Sequence, residues 1–191
     1  MEEIEVKFLE VDVEALRDIL KKFGATFVGE YEYRRKTFDY PDLRLDADHS
    51  WIRLRDEGDR VTLTYKQRQG VGEDSMRDTG MKEIEITVSD FDMTASLLHA
   101  IGLIEKQYEE NRRERWSIGD VVCDIDSWPL IPTYVELEGP SLPAIKEISE
   151  RLGFDWNHYK MCSSNQIYKQ YGINKKEFSV LTFDRQIKKD L

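Results

Sequence analysis

The stretch EIEVKF, residues 3–8, decides the fold, because charged and apolar residues alternate along it. Residues two apart in a β-strand share a face, so one face of this strand is charged and the other is apolar. The next residues predict an amphipathic helix that begins after Asp12 and ends at Gly24. Asp is a favoured N-cap, and glycine commonly follows the last helical turn.

This unit of charged strand, capped helix and glycine recurs twice more along the chain. The recurring strands are EIEI at residues 83–86 and VELE at residues 135–138. Their helices are bounded by Ser89 or Asp90 with Gly102, and by Ser141 with Gly153. Each helix has apolar residues at helical spacing, so we expect three helices that pack on apolar strand faces.

Further runs of alternating or β-branched residues predict more strands, at residues 27–39, 51–55, 61–66, 107–116 and 121–126. Short connections around Gly58 and Gly119 predict antiparallel hairpins. The total of about eight strands is enough to close a small barrel around one ligand. We therefore predict an α+β fold, a closed eight-stranded antiparallel β-barrel with the helices packed outside.

The predicted domain covers residues 1–171, and residues 172–191 are predicted to be a C-terminal tail whose role the sequence leaves open. Aromatic residues in a polar background after Trp156 indicate a helix followed by a docked or lid-forming segment. The polar, glycine-containing residues 67–80 are expected to form a loop at the barrel mouth.

The charged strand faces allow two interpretations. In an open antiparallel sheet they would face water, whereas in a barrel they would line a shared interior. Carboxylates and guanidiniums are segregated in pairs two residues apart, at 83/85, 124/126 and 136/138 for acids and at 53/55 and 113/115 for arginines. One wall that binds cations and another that binds anions would suit a metal-chelated triphosphate, with Mg²⁺ or Mn²⁺ on the carboxylates and phosphate on the arginines.

Composition excludes several classes of partner. A net charge of −10 disfavours general binding to nucleic acids or anionic membranes, which need a basic face. No apolar run approaches membrane-spanning length, and two cysteines, Cys123 and Cys162, do not make a disulfide framework. Because charged residues begin at Glu2, we expect no signal peptide and a soluble cytoplasmic protein. We expect a monomer or homodimer.

At these residues the sequence resembles the CYTH, or triphosphate tunnel metalloenzyme, superfamily. The ExExK signature stands as Glu3-Ile4-Glu5-Val6-Lys7, and the paired-arginine strand stands as Trp51-Ile52-Arg53-Leu54-Arg55. The further matching positions, in the family's order over residues 1–170, are Lys66, Lys82-Glu83-Ile84-Glu85, Arg113, Asp126 and Glu136-Leu137-Glu138.

The resemblance implies an eight-stranded tunnel and a role for each matching residue. The implied metal ligands for Mg²⁺ or Mn²⁺ are Glu3, Glu5, Glu83, Glu85, Asp126, Glu136 and Glu138. The implied triphosphate-binding residues are Lys7, Arg53, Arg55, Lys66, Arg113 and Arg115. The residues expected to be catalytic are Glu3, Glu5, Lys7 and Arg55. Asn111 departs from the family, which often has a lysine there, and Arg115 is the alternative source of that charge.

The reaction is left open among three functions. The first expectation is a class IV adenylyl cyclase-like enzyme that converts ATP to cyclic AMP and pyrophosphate. The alternative is a triphosphatase that acts on inorganic tripolyphosphate, thiamine triphosphate or a nucleoside triphosphate. A non-catalytic module that binds polyphosphate or a nucleotide is the third, since fold alone does not fix the substrate.

Overall fold

The computed structural model describes residues 4–69 and 80–189, and it confirms an α+β chain built on an antiparallel sheet. The helices are α1 (Val13–Lys22), α2 (Arg44–Ala47), α3 (Phe91–Ala100), α4 (Leu142–Arg151) and α5 (Ser164–Gln170). The strands are β1 (Ile4–Phe8), β2 (Thr26–Asp39), β3 (Ser50–Asp56), β4 (Val61–Gln69), β5 (Gly80–Val88), β6 (Ile104–Ile118), β7 (Val121–Ser127), β8 (Tyr134–Gly139), β9 (Phe178–Leu181) and β10 (Gln186–Lys188). Residues 70–79, the centre of the loop predicted over 67–80, lie outside the described residues.

The three helices predicted from the recurring unit are α1, α3 and α4, and their caps are those that the sequence indicates. The side chain of Asp12 accepts a hydrogen bond from the backbone N–H of Ala15 at 3.1 Å. Asp90, rather than Ser89, caps α3. Each helix has a predicted glycine beyond its end, and Gly24 there has a φ of 72°, a conformation that glycine adopts without strain.

The chain divides into two compact units, and β2 and β6 contribute residues to both. The first unit combines Met1–Tyr31 with Asn111–Lys175. Its antiparallel strands follow the order β1-β8-β7-β6. Helices α1 and α4 cover the apolar face of this sheet, and the core includes Val6, Leu20, Leu137 and Ile145, each 0 % exposed.

The second unit combines Glu32–Glu110 with Lys176–Leu191. Its antiparallel strands follow the order β2-β3-β4-β5. Helix α3 packs on the apolar face, where Phe38 and Leu54 are 0 % exposed. The predicted apolar face is therefore buried on β2 and β3. On β5 it is not, because Ile84 and Ile86 are each 55 % exposed.

The C-terminal residues add a strand pair that the sequence analysis did not predict. Strands β9 and β10 pair antiparallel, and β9 runs parallel to β6 beside Tyr108 and Glu109. The predicted helix after Trp156 is α5. Strands this short show too few alternating residues to be recognised. The domain limit between residues 171 and 172 stays a prediction.

Closure of the sheet into a barrel would require β1 and β5 to pair, and it also stays a prediction. Among the described residues, none of the helices combines the length and the apolar character needed to span a bilayer.

Candidate functional site

The polar side of the sheet in the first unit carries a set of charged residues that we name the acidic face. Directly paired residues of neighbouring strands have side chains on the same face. Lys7 is paired with Glu136, and Arg113 is paired with Asp126. The acidic face consists of Glu5, Lys7, Arg113, Arg115, Asp124, Asp126, Glu136 and Glu138.

Lys7 is a buried cation of this face, with its side chain 4 % exposed. Its Nζ lies 2.7 Å from Glu5 Oε1 and 2.9 Å from Glu136 Oε2. Burial alone would lower the pKa of Lys7, but Glu136 and Glu5 outweigh burial and raise the pKa. Lys7 is therefore a fixed positive charge that links β1 to β8.

Two arginines of β6 that lie on the acidic face are paired with the two aspartates of β7. Arg113 donates to Asp126 through Nε at 2.7 Å and through Nη2 at 2.6 Å, and its Nη1 lies 2.7 Å from Asp124. Arg115 donates to Asp124 in the same two-pronged way, at 2.8 and 2.7 Å. Such bidentate pairs fix both side chains, so each aspartate is held in one orientation.

Three carboxylates of the acidic face form what we name the carboxylate cluster: Asp124, Glu136 and Glu138. One oxygen of each lies within 4.8 Å of the others, an arrangement that could hold a metal ion. Oxygen donors are those that Mg²⁺ and Mn²⁺ prefer, so the donor set fits either ion. Burial opposes ionisation of Glu136, but Arg113 and Lys7 outweigh burial and lower its pKa. Glu136 is therefore ionised at neutral pH, as a metal ligand must be.

Asp124 is missing from the ligands that the sequence analysis proposed, although the structure places it in the carboxylate cluster. The sequence did indicate Asp124, because it is two residues from Asp126 on β7 and the two side chains therefore share a face. Asp126 was preferred because it matches the family motif, and in the structure it is the bidentate partner of Arg113.

Three guanidinium groups on the polar side of the sheet in the second unit form what we name the arginine cluster: Arg35, Arg53 and Arg55. Arg35 and Arg55 are directly paired between β2 and β3, and Arg53 is two residues from Arg55 on the same face. Burial first, and then the positive charges of Arg55 and Arg35, lower the pKa of Arg53 to about 10, although Glu83 and Glu85 oppose the shift. An arginine stays protonated near neutral pH even so, and its charge is therefore held against both burial and repulsion from its two neighbours.

Buried hydrogen-bond donors accompany this repulsion. The Nε atoms of Arg53 and Arg55 and the hydroxyl of Thr62 are buried and have no hydrogen-bond partner among the described residues. A buried donor without a partner costs about 1–3 kcal/mol. Such donors are expected where a ligand supplies the acceptors.

One carboxylate lies close to the arginine cluster at the turn between β3 and β4. Glu57, which is 8 % exposed, forms an ion pair with Nη2 of Arg55. Its other oxygen lies 2.5 Å from Nε of Arg60. Glu57 was not among the predicted site residues, because it lies in a turn outside the alternating strand pattern.

Lys66, Glu83 and Glu85 occupy the next two strands of the same polar face. Lys66 Nζ lies 2.8 Å from Glu83 Oε2, and the hydroxyl of Thr64 donates to Glu85 Oε2 at 2.8 Å. The predicted metal ligands Glu83 and Glu85 thus lie in the second unit, beside a lysine and a threonine. Their metal-binding role stays a prediction.

The other predicted residues are distributed between the two units. Arg113 and Arg115, predicted to bind the triphosphate, lie in the first unit, and Arg53, Arg55 and Lys66 lie in the second. Asn111, at the position where the family often has lysine, is 1 % exposed. Glu3 lies outside the described residues.

Comparison with known proteins identifies a family match and a shared fold. The profile of the CYTH domain matches residues 1–147 of this chain. A search of curated proteins with the sequence of this chain found no match.

Three solved structures illustrate the fold. A protein from Pyrococcus horikoshii OT3 is 20% identical, with 83% of this chain and 94% of that chain covered and a TM-score of 0.60. A Vibrio parahaemolyticus protein assigned as an adenylate cyclase is 14% identical, with coverages of 87% and 97% and a TM-score of 0.66. A Hippeastrum protein assigned as an adenylyl cyclase, with a dominant triphosphatase activity, is 14% identical, with coverages of 92% and 98% and a TM-score of 0.60. At these identities the likeness is one of fold alone.

Proposed function

Because this chain belongs to the CYTH domain family, we propose that it is a divalent-metal-dependent enzyme that hydrolyses a triphosphate. The observation that carries the proposal is the contrast between the carboxylate cluster and the arginine cluster. The first suits a divalent cation, and the second suits an anion of high charge density.

A triphosphate matches both clusters. Its roughly four negative charges near neutral pH would balance several cations, whereas a single phosphate would leave the arginine repulsion largely in place. Arg53 and Arg55 would bind phosphoryl oxygens, with Lys66 beside them. The proposal requires both faces to contact one substrate, which closure of the strands β1 to β8 into a barrel would provide.

The residues of the acidic face have separate roles in this proposal. Asp124, Glu136 and Glu138 would hold Mg²⁺ or Mn²⁺, and Glu5 and the predicted ligand Glu3 would extend that set. A bound divalent ion would polarise phosphoryl oxygens and offset charge on the leaving phosphate. Lys7 and Arg113 would keep the carboxylates in place and add positive charge for the leaving group.

Hydrolysis is the reaction that these residues support best, because it requires only the triphosphate chain and a water molecule to be positioned. The Hippeastrum structure, with its dominant triphosphatase activity, supports the same choice by analogy of fold. A cyclase would also have to orient a ribose hydroxyl and an adenine.

The second candidate is the adenylyl cyclase reaction, and Trp51 is the observation that favours it. Trp51 has the same parity as Arg53 on β3 and is paired with Lys66 of β4. Its side chain is half-buried and lies beyond Arg53, at the end of the arginine cluster away from the β3–β4 turn. There its ring could stack on an adenine or another aromatic head group.

The test incubates the protein with tripolyphosphate, ATP or thiamine triphosphate, each with Mg²⁺ or Mn²⁺. Orthophosphate, pyrophosphate and cyclic AMP are then quantified. Orthophosphate release that EDTA abolishes is the expected result. Cyclic AMP with pyrophosphate from ATP would instead establish the second candidate, and binding without any product would establish a binding module.

Two variants and one control variant test whether the activity depends on the carboxylate cluster and on Trp51. Glu138→Gln is expected to lower metal-dependent kcat at least about a hundredfold, since a ligand charge is lost. Glu147→Gln changes a carboxylate on the exposed side of α4 and should leave kcat unchanged. Trp51→Ala should reduce kcat/KM for ATP and thiamine triphosphate but not for tripolyphosphate, which has no ring.

A further inference from the structure

Thr62 is a polar residue that neither the sequence motifs nor the family match draws attention to. It lies on β4, directly paired with Arg55 of β3, so its side chain shares the polar face with the arginine cluster. The residue is 1 % exposed. Its hydroxyl has no hydrogen-bond partner among the residues that the structure describes.

The neighbouring threonine on β4 shows that a buried hydroxyl on this strand can have a hydrogen-bond partner. Thr64 has the same parity and is 0 % exposed, but its hydroxyl donates to Glu85 at 2.8 Å. Valine has nearly the shape of threonine and a higher preference for buried strand positions, so packing alone does not require a hydroxyl at residue 62. A buried hydroxyl without a partner reduces stability, and a ligand that pairs with it would remove that cost.

The chemistry around Thr62 defines what such a ligand must offer. Within the part of the chain that the structure describes, the neighbouring strand β3 also has buried Nε atoms without hydrogen-bond partners, on Arg53 and Arg55, and these atoms only donate hydrogen bonds. A hydroxyl can also donate, so all three groups could converge on acceptor atoms. Phosphoryl oxygens are acceptors, and their negative charge would offset the repulsion within the arginine cluster.

We infer that Thr62 Oγ1, with Nε of Arg53 and Nε of Arg55, forms a subsite for a phosphoryl group. The subsite lies at the end of the arginine cluster nearest the β3–β4 turn. The inference rests on the proposed function, because it assigns one phosphoryl group of the triphosphate to this position. Thr62 supplies an uncharged hydrogen bond there, and the arginines supply charge.

The experiment measures binding of inorganic tripolyphosphate by calorimetry in EDTA, so that no turnover occurs. Thr62→Val removes the hydroxyl and keeps the shape, and it should weaken binding about tenfold or more, as expected for a hydrogen bond to a charged group. Thr62→Ser keeps the hydroxyl and should bind within about threefold of the wild type. Thr87→Val is the control, because Thr87 is the exposed cross-strand partner of Thr62 on β5.

Thermal unfolding without ligand separates a binding role from a structural one. Removal of an unsatisfied buried hydroxyl should leave the melting temperature of Thr62→Val unchanged or higher. A lower melting temperature with unchanged affinity would overturn the inference, as would equal affinity in wild type and variant. Should Thr62→Val fail to fold, Thr62→Ala provides the same affinity comparison. A wild type that binds no triphosphate at all would instead overturn the proposed function.

Discussion

The acidic face of the first unit and the arginine cluster of the second differ in how their charges are balanced. On the acidic face each aspartate of β7 has a bidentate arginine, and Lys7 contacts two glutamates. In the arginine cluster like charges are adjacent, and buried Nε donors of Arg53 and Arg55 lack partners among the described residues. Both faces arise from the same alternation along strands.

This difference predicts opposite consequences for stability and binding. Groups that already satisfy one another contribute to folding, so a change in one of them should lower the free energy of unfolding. Groups that repel one another are maintained at a cost to stability, so changing them should weaken ligand binding without harm to the fold. The four predictions below test this contrast, from the largest expected effect to the smallest.

Asp126→Asn should have the largest effect, on the free energy of unfolding. The substitution leaves the half-buried Arg113 with one charged partner fewer, and breaking a pair whose carboxylate is buried costs about 3–5 kcal/mol. Urea unfolding measures the loss. Glu14→Gln is the control, since the exposed Glu14–Arg17 pair should be worth less than about 1 kcal/mol. Equal losses in both variants would contradict the balanced character of the acidic face.

Arg53→Ala should weaken tripolyphosphate binding about a hundredfold, because two charge-assisted hydrogen bonds are lost. Its melting temperature without ligand should not fall, since repulsion from Arg55 and Arg35 is relieved. Calorimetry and thermal unfolding measure the two quantities. Arg34→Ala, on the opposite side of the sheet beside Asp56, is the control that should keep wild-type affinity. A fall in stability with unchanged affinity would remove the arginine cluster from the site.

Asp39→Asn tests a carboxylate of the second unit that backbone N–H groups hold. Asp39 accepts from Tyr40, Leu45 and Asp46 at 2.7, 3.0 and 3.0 Å. Burial would raise its pKa, but these bonds and Lys106 outweigh burial and lower the pKa. Its stabilising effect is therefore present above the unfolded-state pKa of about 3.9 and is lost as the pH falls through the folded-state value.

The Asn variant should accordingly be about 2 kcal/mol less stable at neutral pH. Its stability should also depend less on pH below about 4 than that of the wild type. Urea unfolding over a series of pH values gives both results. If the free energy of unfolding of the variant fell with decreasing pH as steeply as that of the wild type, other carboxylates would control the loss of stability in acid.

Glu57→Gln should give the smallest effect, with the sign opposite to Arg53→Ala. Removal of this negative charge raises the positive potential at Arg55 and should strengthen tripolyphosphate binding about fivefold, since Glu57 competes with phosphate for the guanidinium. Stability without ligand should fall by about 1 kcal/mol. Arg60→Gln, whose side chain is largely exposed, is the control. Weaker binding in Glu57→Gln would show that Glu57 positions Arg55 instead of competing for it.

The sequence allowed much of the fold to be predicted, and the family match confirms the resemblance that the ExExK and paired-arginine strands indicated. Strand alternation located β1 to β8, and caps with glycines located α1, α3 and α4. The pair β9–β10 was missed because strands of three or four residues carry almost no periodic signal. Residue roles were harder to predict: Asp124 was passed over for Asp126, and Thr62 and Glu57 drew no attention.

The sequence by itself determined which residues share a face, because side chains alternate along a strand whatever its neighbours are. Only the tertiary structure decided which charges on a face are satisfied, because that depends on which strands pair and in what register. The pairing of β6 with β7 gives Arg113 and Arg115 their aspartates. The pairing of β2 with β3 instead places Arg35 opposite Arg55, and so brings like charges together on one face, which the proposed triphosphate would neutralise.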